Sequence, residues 1–191
     1  VERMNEESAN ALLKVMEEPP EGVLFLLTAD SLASVLPTIR SRCVSFAVAP
    51  VSPAQCARYC AAQGVEKKDA ALYSELFDGH IGTVLAAAQD EARRAQVNQA
   101  LALAKAAAGR DSYAAGVLLS TCEKDKAGAI ALLTDFRAVA ASGLQGSPHS
   151  PLQGKAAQKA LSLADTAIQH LTAQVNPKIT LAVLAARMRS I

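Results

Sequence analysis

The sequence contains no tryptophan, and aromatic residues make up only 4% of its 191 positions. That scarcity excludes an aromatic platform on which single-stranded bases would stack. It also argues against an all-β fold, which draws on aromatic and β-branched residues. Charge of one sign is lacking as well. Lys and Arg number 19 against 18 Asp and Glu, a formal net of +1, so there is no global basic field to hold nucleic acid. Apolar runs such as Val23 to Leu27 are strand-sized and fall far short of the ~20 residues of a membrane-spanning helix. No membrane contact is expected. Cysteine is scarce, at Cys43, Cys56, Cys60 and Cys122, with no C-x2-C pair. A zinc pattern is therefore missing. Cys56 and Cys60 can share a helix face, and all four read as reduced residues of a cytoplasmic protein. No G-x-x-x-x-G-K-[ST] phosphate loop occurs, which excludes ordinary ATP binding and hydrolysis by this chain. Three scattered His give no nucleophilic triad.

What is abundant is alanine, 40 of the 191 residues. It is the best helix former and the smallest apolar side chain, so the composition is that of a mainly helical chain. Charge divides unevenly. Residues 1–50 carry 4 basic and 7 acidic residues, residues 51–90 carry 3 and 5, and residues 91–191 carry 12 and 6. The basic excess sits in the last segment, spread singly, as a solvated helix surface would have it. The chain opens Val1-Glu2-Arg3-Met4 with no initiating Met, which reads as a piece of a longer protein.

The first segment alternates helix and strand. Asn5 can cap a helix whose first turn holds Glu6 and Glu7. Ala9, Leu12, Leu13 and Met16 share one face of it, and Pro19-Pro20 stops it. Glu17 and Glu18 end the helix in solvent. Val23 to Thr28 reads as a strand buried on both faces. Leu32 to Leu36 is a short helix or turn broken by Pro37. Cys43 to Val48 alternates, which places Val44, Phe46 and Val48 inward on a second strand.

After Pro50 the pattern is helical throughout. Ser52-Pro53 starts a helix that runs to about Ala62 and ends at Gly64. A second helix covers about Lys68 to Phe77, and a third about Gly82 to Ala88. His80 is a helix-start residue. Four further apolar stripes follow: Val97, Leu101, Ala104 and Ala108; Leu133, Phe136, Ala140 and Leu144; Leu161, Ala164, Ile168 and Leu171; and Leu181, Leu184, Met188 and Ile191. Gly143 to Gly154 reads as the loosest loop. The organisation expected is a two-stranded α/β piece at 1–50, a three-helix unit at 51–90 and a bundle of about five helices at 91–191.

Two stretches carry a more specific signal. One is Asn10-Ala11-Leu12-Leu13-Lys14-Val15-Met16-Glu17-Glu18-Pro19-Pro20, and the other is Leu36-Pro37-Thr38-Ile39-Arg40-Ser41-Arg42-Cys43. Together, in this order and with an apolar segment between, they resemble the clamp-loader subunits of the AAA+ class, of the bacterial DNA polymerase III delta-prime and gamma/tau types. The resemblance covers residues 1–90 well and residues 91–191 weakly. It implies that residues 1–50 close an AAA+ nucleotide-binding domain, that 51–90 form a helical lid and that 91–191 form a collar joining subunits into a ring. It implies a role for Arg42 as an arginine finger acting in trans on ATP bound by a neighbouring subunit, with Ser41 and Cys43 holding the loop. A guanidinium fork is always charged and suits phosphate oxygens. The alternative for Arg42 is a surface pair with a local carboxylate. Thr28 matches the sensor-1 position. In Gly79-His80-Ile81-Gly82-Thr83-Val84-Leu85 the sensor-2 Arg position holds Thr83 or Gly82, neither a cation, which leans towards delta-prime.

The function implied is loading of the sliding clamp onto primed DNA, within a nucleotidyltransferase holoenzyme. The partners implied are gamma/tau and delta subunits, with clamp and DNA met through the assembly. A gamma/tau-type motor or another AAA+ ATPase is the alternative. No cofactor or metal is expected on this chain itself. Any DNA contact by the chain alone should be weak and should weaken further with salt.

Overall fold

The computed structural model describes residues 4, 6–29, 31–49 and 51–191. Asn5, the expected first cap, lies outside the described residues. The chain divides into two compact units, Val1–Ala49 and Pro50–Ile191.

In the first unit, helix α1 spans Glu6–Glu17. Its apolar face is the expected one, with Ala9 fully buried and Leu12, Leu13 and Met16 half-buried. A 3₁₀ turn covers Leu32–Ser34, capped by Ser31, whose Oγ accepts from the Ala33 N–H. The turn ends before Pro37, as expected, and that proline begins the next element. The four-residue helix α2, Pro37–Arg40, has this proline at its first position, where a missing N–H costs nothing. Helices α1 and α2 pack together, and Ile39 is buried.

The two expected strands are not formed: among the described residues no strand occurs. Leu24 and Leu26 are 81% and 86% exposed, and Val44, Phe46 and Val48 are 82%, 85% and 93% exposed, so the side chains expected inward point to solvent. The reason is physical. A strand buries its side chains only as a member of a sheet, and its ladder needs neighbours. The apolar sequence alone supplies neither.

The second unit is helical throughout. Helices α3 (Pro53–Ala62), α4 (Lys67–Leu76) and α5 (Ile81–Gln89) fall where the periodicity expects them. Ser52 and Gln55 form a reciprocal capping box at the start of α3, which satisfies two backbone donors and stabilises by about 1 kcal/mol. Five helices follow: α6 (Glu91–Ala108), α7 (Ser112–Ser120), α8 (Lys126–Leu144), α9 (Gly154–Thr172) and α10 (Pro177–Arg187). Each of the first three starts on an aspartate, Asp90, Asp111 or Asp125, whose carboxylate accepts a backbone N–H of the first turn. Asn176 does the same for α10.

One core runs through this unit, from Cys56 on α3 to Ile191. Helix α9 packs on α8 and on α10, α6 packs on α8, and α7 packs on α6 and α10. The division of labour between large and small side chains explains the high alanine content. Helix α8 buries Leu132, Leu133, Phe136 and Val139, while α9 buries Ala157, Ala160, Ala164 and Ala167. Large residues on one helix and small ones on its neighbour let the axes approach without voids. On α6 the buried stripe is Val97, Ala100, Leu103, Ala104 and Ala107. It is therefore rotated from the expected one, and Ala108 is exposed. Leu144 is likewise 48% exposed.

Helix α8 is 19 residues long and apolar enough, by length and composition, to cross a membrane. It also carries a buried Asp135 paired with Arg93 and lies in the core of this unit.

The stretch expected to be the loosest loop is tied down. Ser150 Oγ donates to the Val139 carbonyl at 2.7 Å, Gln153 Nε2 donates to the carbonyls of Ser147 and Ser150, and Leu152 is fully buried. A Cβ on Gly143 would lie 1.9 Å from the Leu152 carbonyl oxygen. The glycine that looked like a loop residue is a helical residue over which the returning chain passes in contact.

Candidate functional site

The site implied by the sequence is built on the first unit. Arg42 follows α2 within a tight turn, in which its N–H bonds the Ile39 carbonyl at 3.0 Å. Ser41 Oγ donates to the Thr38 carbonyl at 3.0 Å. Arg42 Nη1 donates to that same carbonyl at 3.0 Å and lies 3.4 Å from Ser41 Oγ. Thr38, Ser41 and Arg42 are thus one small hydrogen-bonded unit. Cys43 is a half-buried free thiol, with no hydrogen bond to Arg42 among those described.

The second guanidinium nitrogen, Nη2, reaches Glu17 Oε1 at 2.5 Å. Glu17 is the last residue of α1, so the pair joins the ends of the two helices. The Arg42 and Glu17 side chains are 39% and 51% exposed. The guanidinium is therefore oriented by the protein yet open to solvent, and an exposed ion pair of this kind exchanges at low cost. This is the surface pair with a local carboxylate that was the alternative for Arg42, although Glu17 itself was expected to end the helix in solvent. The signal that could have found it is its place at the helix end, in the same motif as the proline stop.

Thr28 is exposed, in an irregular segment of the same unit. Among the described residues no three His, Cys, Asp or Glu side chains converge as a metal site would require.

The glycine-rich stretch of the second unit has a structural explanation. Gly79 has φ +75°, and a Cβ there would lie 1.7 Å from the Val51 carbonyl oxygen, so only glycine fits. His80 stands at the N-cap of α5 without a side-chain cap bond, the helix-start position expected. Thr83 is half-buried and Gly82 exposed on α5.

Two polar features of this unit were not anticipated. Arg93 donates two hydrogen bonds to the carboxylate of Asp135, one of them at 2.6 Å. Its guanidinium also lies 5.6 Å from the Phe77 ring centre. The hydrogen bond to Asp135 outweighs the opposing effect of burial and raises the Arg93 pKa further. Cys56 and Cys60 are fully buried, with their Sγ atoms 4.0 Å apart. Burial, then the neighbouring Cys56, pushes the Cys60 thiol up to about 11, which keeps it protonated and unreactive.

The family match covers the unit that carries Arg42. The family described as DNA polymerase III, delta subunit matches residues 1–52. The DNA polymerase III subunit delta' of Haemophilus influenzae is 62% identical over 42 residues, 22% of this chain and 13% of that protein. The delta' subunit of Yersinia pestis is 45% identical over 58 residues, 30% of this chain and 17% of that protein. The DNA polymerase III subunit gamma/tau of Mycobacterium tuberculosis is 43% identical over 65 residues, 32% of this chain and 11% of that protein. The matched part of the chain thus spans less than a fifth of each of these relatives. Over a short part of its length the chain is similar to DNA polymerase III subunits delta' and gamma/tau, and its residues 1–52 match the family described as DNA polymerase III, delta subunit.

Proposed function

We propose that the protein is a clamp-loader subunit that helps place a ring-shaped sliding clamp on primed DNA, and that Arg42 is its finger towards ATP held by a neighbouring subunit. The observation that carries the reading is the position of Arg42. Its guanidinium sits past the end of α2, held by the Thr38 carbonyl and Glu17 and 39% exposed. A finger needs a charged fork that is oriented before its target arrives and remains accessible to it. Release from Glu17 frees one face of the fork for phosphate oxygens. Ser41 steadies the turn, and Thr28 stands at the sensor-1 position of the same reading. The exposed Leu24, Leu26, Val44, Phe46 and Val48 are the apolar side chains that the sheet of a whole AAA+ domain would cover.

In this proposal residues 51–90 act as the lid and residues 91–191 as the collar, with gamma/tau and delta subunits as neighbours in a bacterial cytoplasm. A gamma/tau-type motor is the second reading, favoured by the match to the mycobacterial gamma/tau subunit. Against it, Gly82 and Thr83 on α5 cannot supply the cation of a sensor-2 arginine.

The test uses the full-length protein assembled with its partner subunits. ATP hydrolysis stimulated by clamp and primed DNA is compared with Arg42 intact and with Arg42→Ala. A loss of about tenfold or more in an intact complex is expected of a trans-acting finger. Unchanged hydrolysis in an intact complex overturns the finger role.

A further inference from the structure

Glu17 stands where a carboxylate is poorly placed. It is the last residue of α1, and a helix C-terminus carries a negative partial charge that repels an anion. Glu18 follows directly and adds a second negative charge. Lys14 is the basic residue of that last turn, and among the described residues it forms no ion pair. The charge that compensates Glu17 comes from outside the helix. Arg42 Nη2 meets Glu17 Oε1 at 2.5 Å, across 25 positions of sequence.

The same guanidinium has a second anchor, of a different kind. Nη1 donates to the Thr38 carbonyl at 3.0 Å and lies 3.4 Å from Ser41 Oγ. Both groups belong to the turn that carries Arg42, so the fork is oriented locally even without Glu17. A carbonyl and a hydroxyl carry no net charge, and they leave the cation free to attract an anion. A carboxylate makes a charge-assisted bond and neutralises the cation it holds. The turn thus aims the fork, whereas Glu17 spends its charge on Nη2.

We infer that Glu17 is a positioning residue that withholds Arg42, an inference that rests on the reading of Arg42 as the finger. The Glu17 carboxylate competes for Nη2 with the phosphate oxygens of ATP on a neighbouring subunit, while Thr38 and Ser41 keep the fork aimed. Its effect on hydrolysis is therefore opposite in sign to that of a supporting residue: removing its charge speeds the reaction. The effect is also shallow, because the Arg42 and Glu17 side chains are 39% and 51% exposed. A pair this exposed shifts an equilibrium by a factor of up to about five. That is enough to slow an idle assembly and too little to block an engaged one.

The test uses the full-length protein assembled with its partner subunits, without clamp or DNA. Glu17→Gln keeps the shape of the side chain and removes its charge, and should raise kcat/KM for ATP about two- to fivefold. Glu18→Gln removes the same charge one position on, where adjacent helical side chains point apart, and should leave kcat/KM unchanged. In an Arg42→Ala background Glu17→Gln should have no effect. A second readout needs no nucleotide. Phenylglyoxal attacks the uncharged guanidine, so it should modify Arg42 about two- to fivefold faster in Glu17→Gln than in the unaltered protein, as followed by mass spectrometry. An unchanged or lowered kcat/KM in Glu17→Gln, with Arg42→Ala still impaired, would overturn the withholding role and leave the finger standing. A rise that persists in the Arg42→Ala background, or that Glu18→Gln reproduces, would overturn it by placing the effect elsewhere. Equal phenylglyoxal rates would show that the pair does not hold the guanidinium in solution and would overturn it as well. Unchanged hydrolysis in Arg42→Ala alone would remove the finger, and this inference with it.

Discussion

Arg93 and Asp135, separated by 42 positions in sequence, meet in a two-pronged ion pair that joins α6 to α8. The Asp135 side chain is 5% exposed and that of Arg93 is 23% exposed. The Arg93 guanidinium also lies over the Phe77 ring, at the end of α4, so one side chain touches three helical regions of the second unit. Breaking such a pair leaves a desolvated charge without a partner. Asp135→Asn is expected to cost about 2 to 4 kcal/mol, below the full range for deeply buried pairs because Arg93 keeps some contact with water. Replacing both, Arg93→Met with Asp135→Leu, should cost less than Asp135→Asn alone. Urea unfolding of the three variants decides it, and a loss under about 1 kcal/mol for Asp135→Asn would show that the pair contributes little.

The pair between Arg42 and Glu17 belongs to the opposite regime. Both side chains are more than a third exposed, and pairs of that kind contribute about 0 to 1 kcal/mol. Arg42→Ala and Glu17→Gln should therefore leave the thermal transition nearly unchanged. A large drop in melting temperature would assign Arg42 a structural role and would make the hydrolysis assay uninterpretable as a finger test.

Gly79 is the position least tolerant of a methyl group in the turn before α5. Its φ is +75°, and the Val51 carbonyl oxygen occupies the space a Cβ would need. Gly79→Ala is expected to destabilise by more than about 2 kcal/mol, from both backbone strain and overpacking. Gly64 has φ +88° but nothing within 4 Å of a built Cβ, so Gly64→Ala should cost only about 1 kcal/mol. Near-equal losses would show that the approach to Val51 is not a constraint.

Alkaline pH should loosen the second unit through Cys60. In the unfolded chain the thiol ionises around its ordinary value of 9.0, whereas in the fold it holds its proton to about 11. The unfolded chain therefore loses its proton first. The associated stability is fully present below pH 9 and is lost as pH rises towards 11. Tyr73, whose pKa is raised from 10.0 chiefly by burial, acts in the same direction. Denaturant midpoints measured across this window should fall, and the fall should be shallower in Cys60→Ala. An identical profile in that variant would remove Cys60 as a source.

Residues of short-range consequence were legible. The Ser52-Pro53 start and the stripe of Leu181, Leu184, Met188 and Ile191 follow from spacing and from local hydrogen bonding, whereas the capping Asp90, Asp111 and Asp125 were not read. The stripe of α6 was misplaced because its alanines carry almost no weight to distinguish a buried face from an exposed one. Buried Leu103 and exposed Ala108 show which face the neighbours chose. Asp135 left a visible signal, an acid among Leu132, Leu133 and Phe136, but its partner could not be read from spacing. Of the site, the Ser41-Arg42 motif was legible, and the carboxylate that receives the guanidinium was not.

The sequence by itself determined the helices of the second unit, because a helical hydrogen bond and its cap involve residues within about four positions of one another. Tertiary structure alone decided that Arg93 would meet Asp135, that Glu17 would hold Arg42 and that the Gly143 to Gly154 segment would pack rather than float. It also decided that residues 23–28 and 43–48 form no strand. Strand pairing and ion pairing are set by residues far apart in the chain, whose meeting depends on the packing of everything between them.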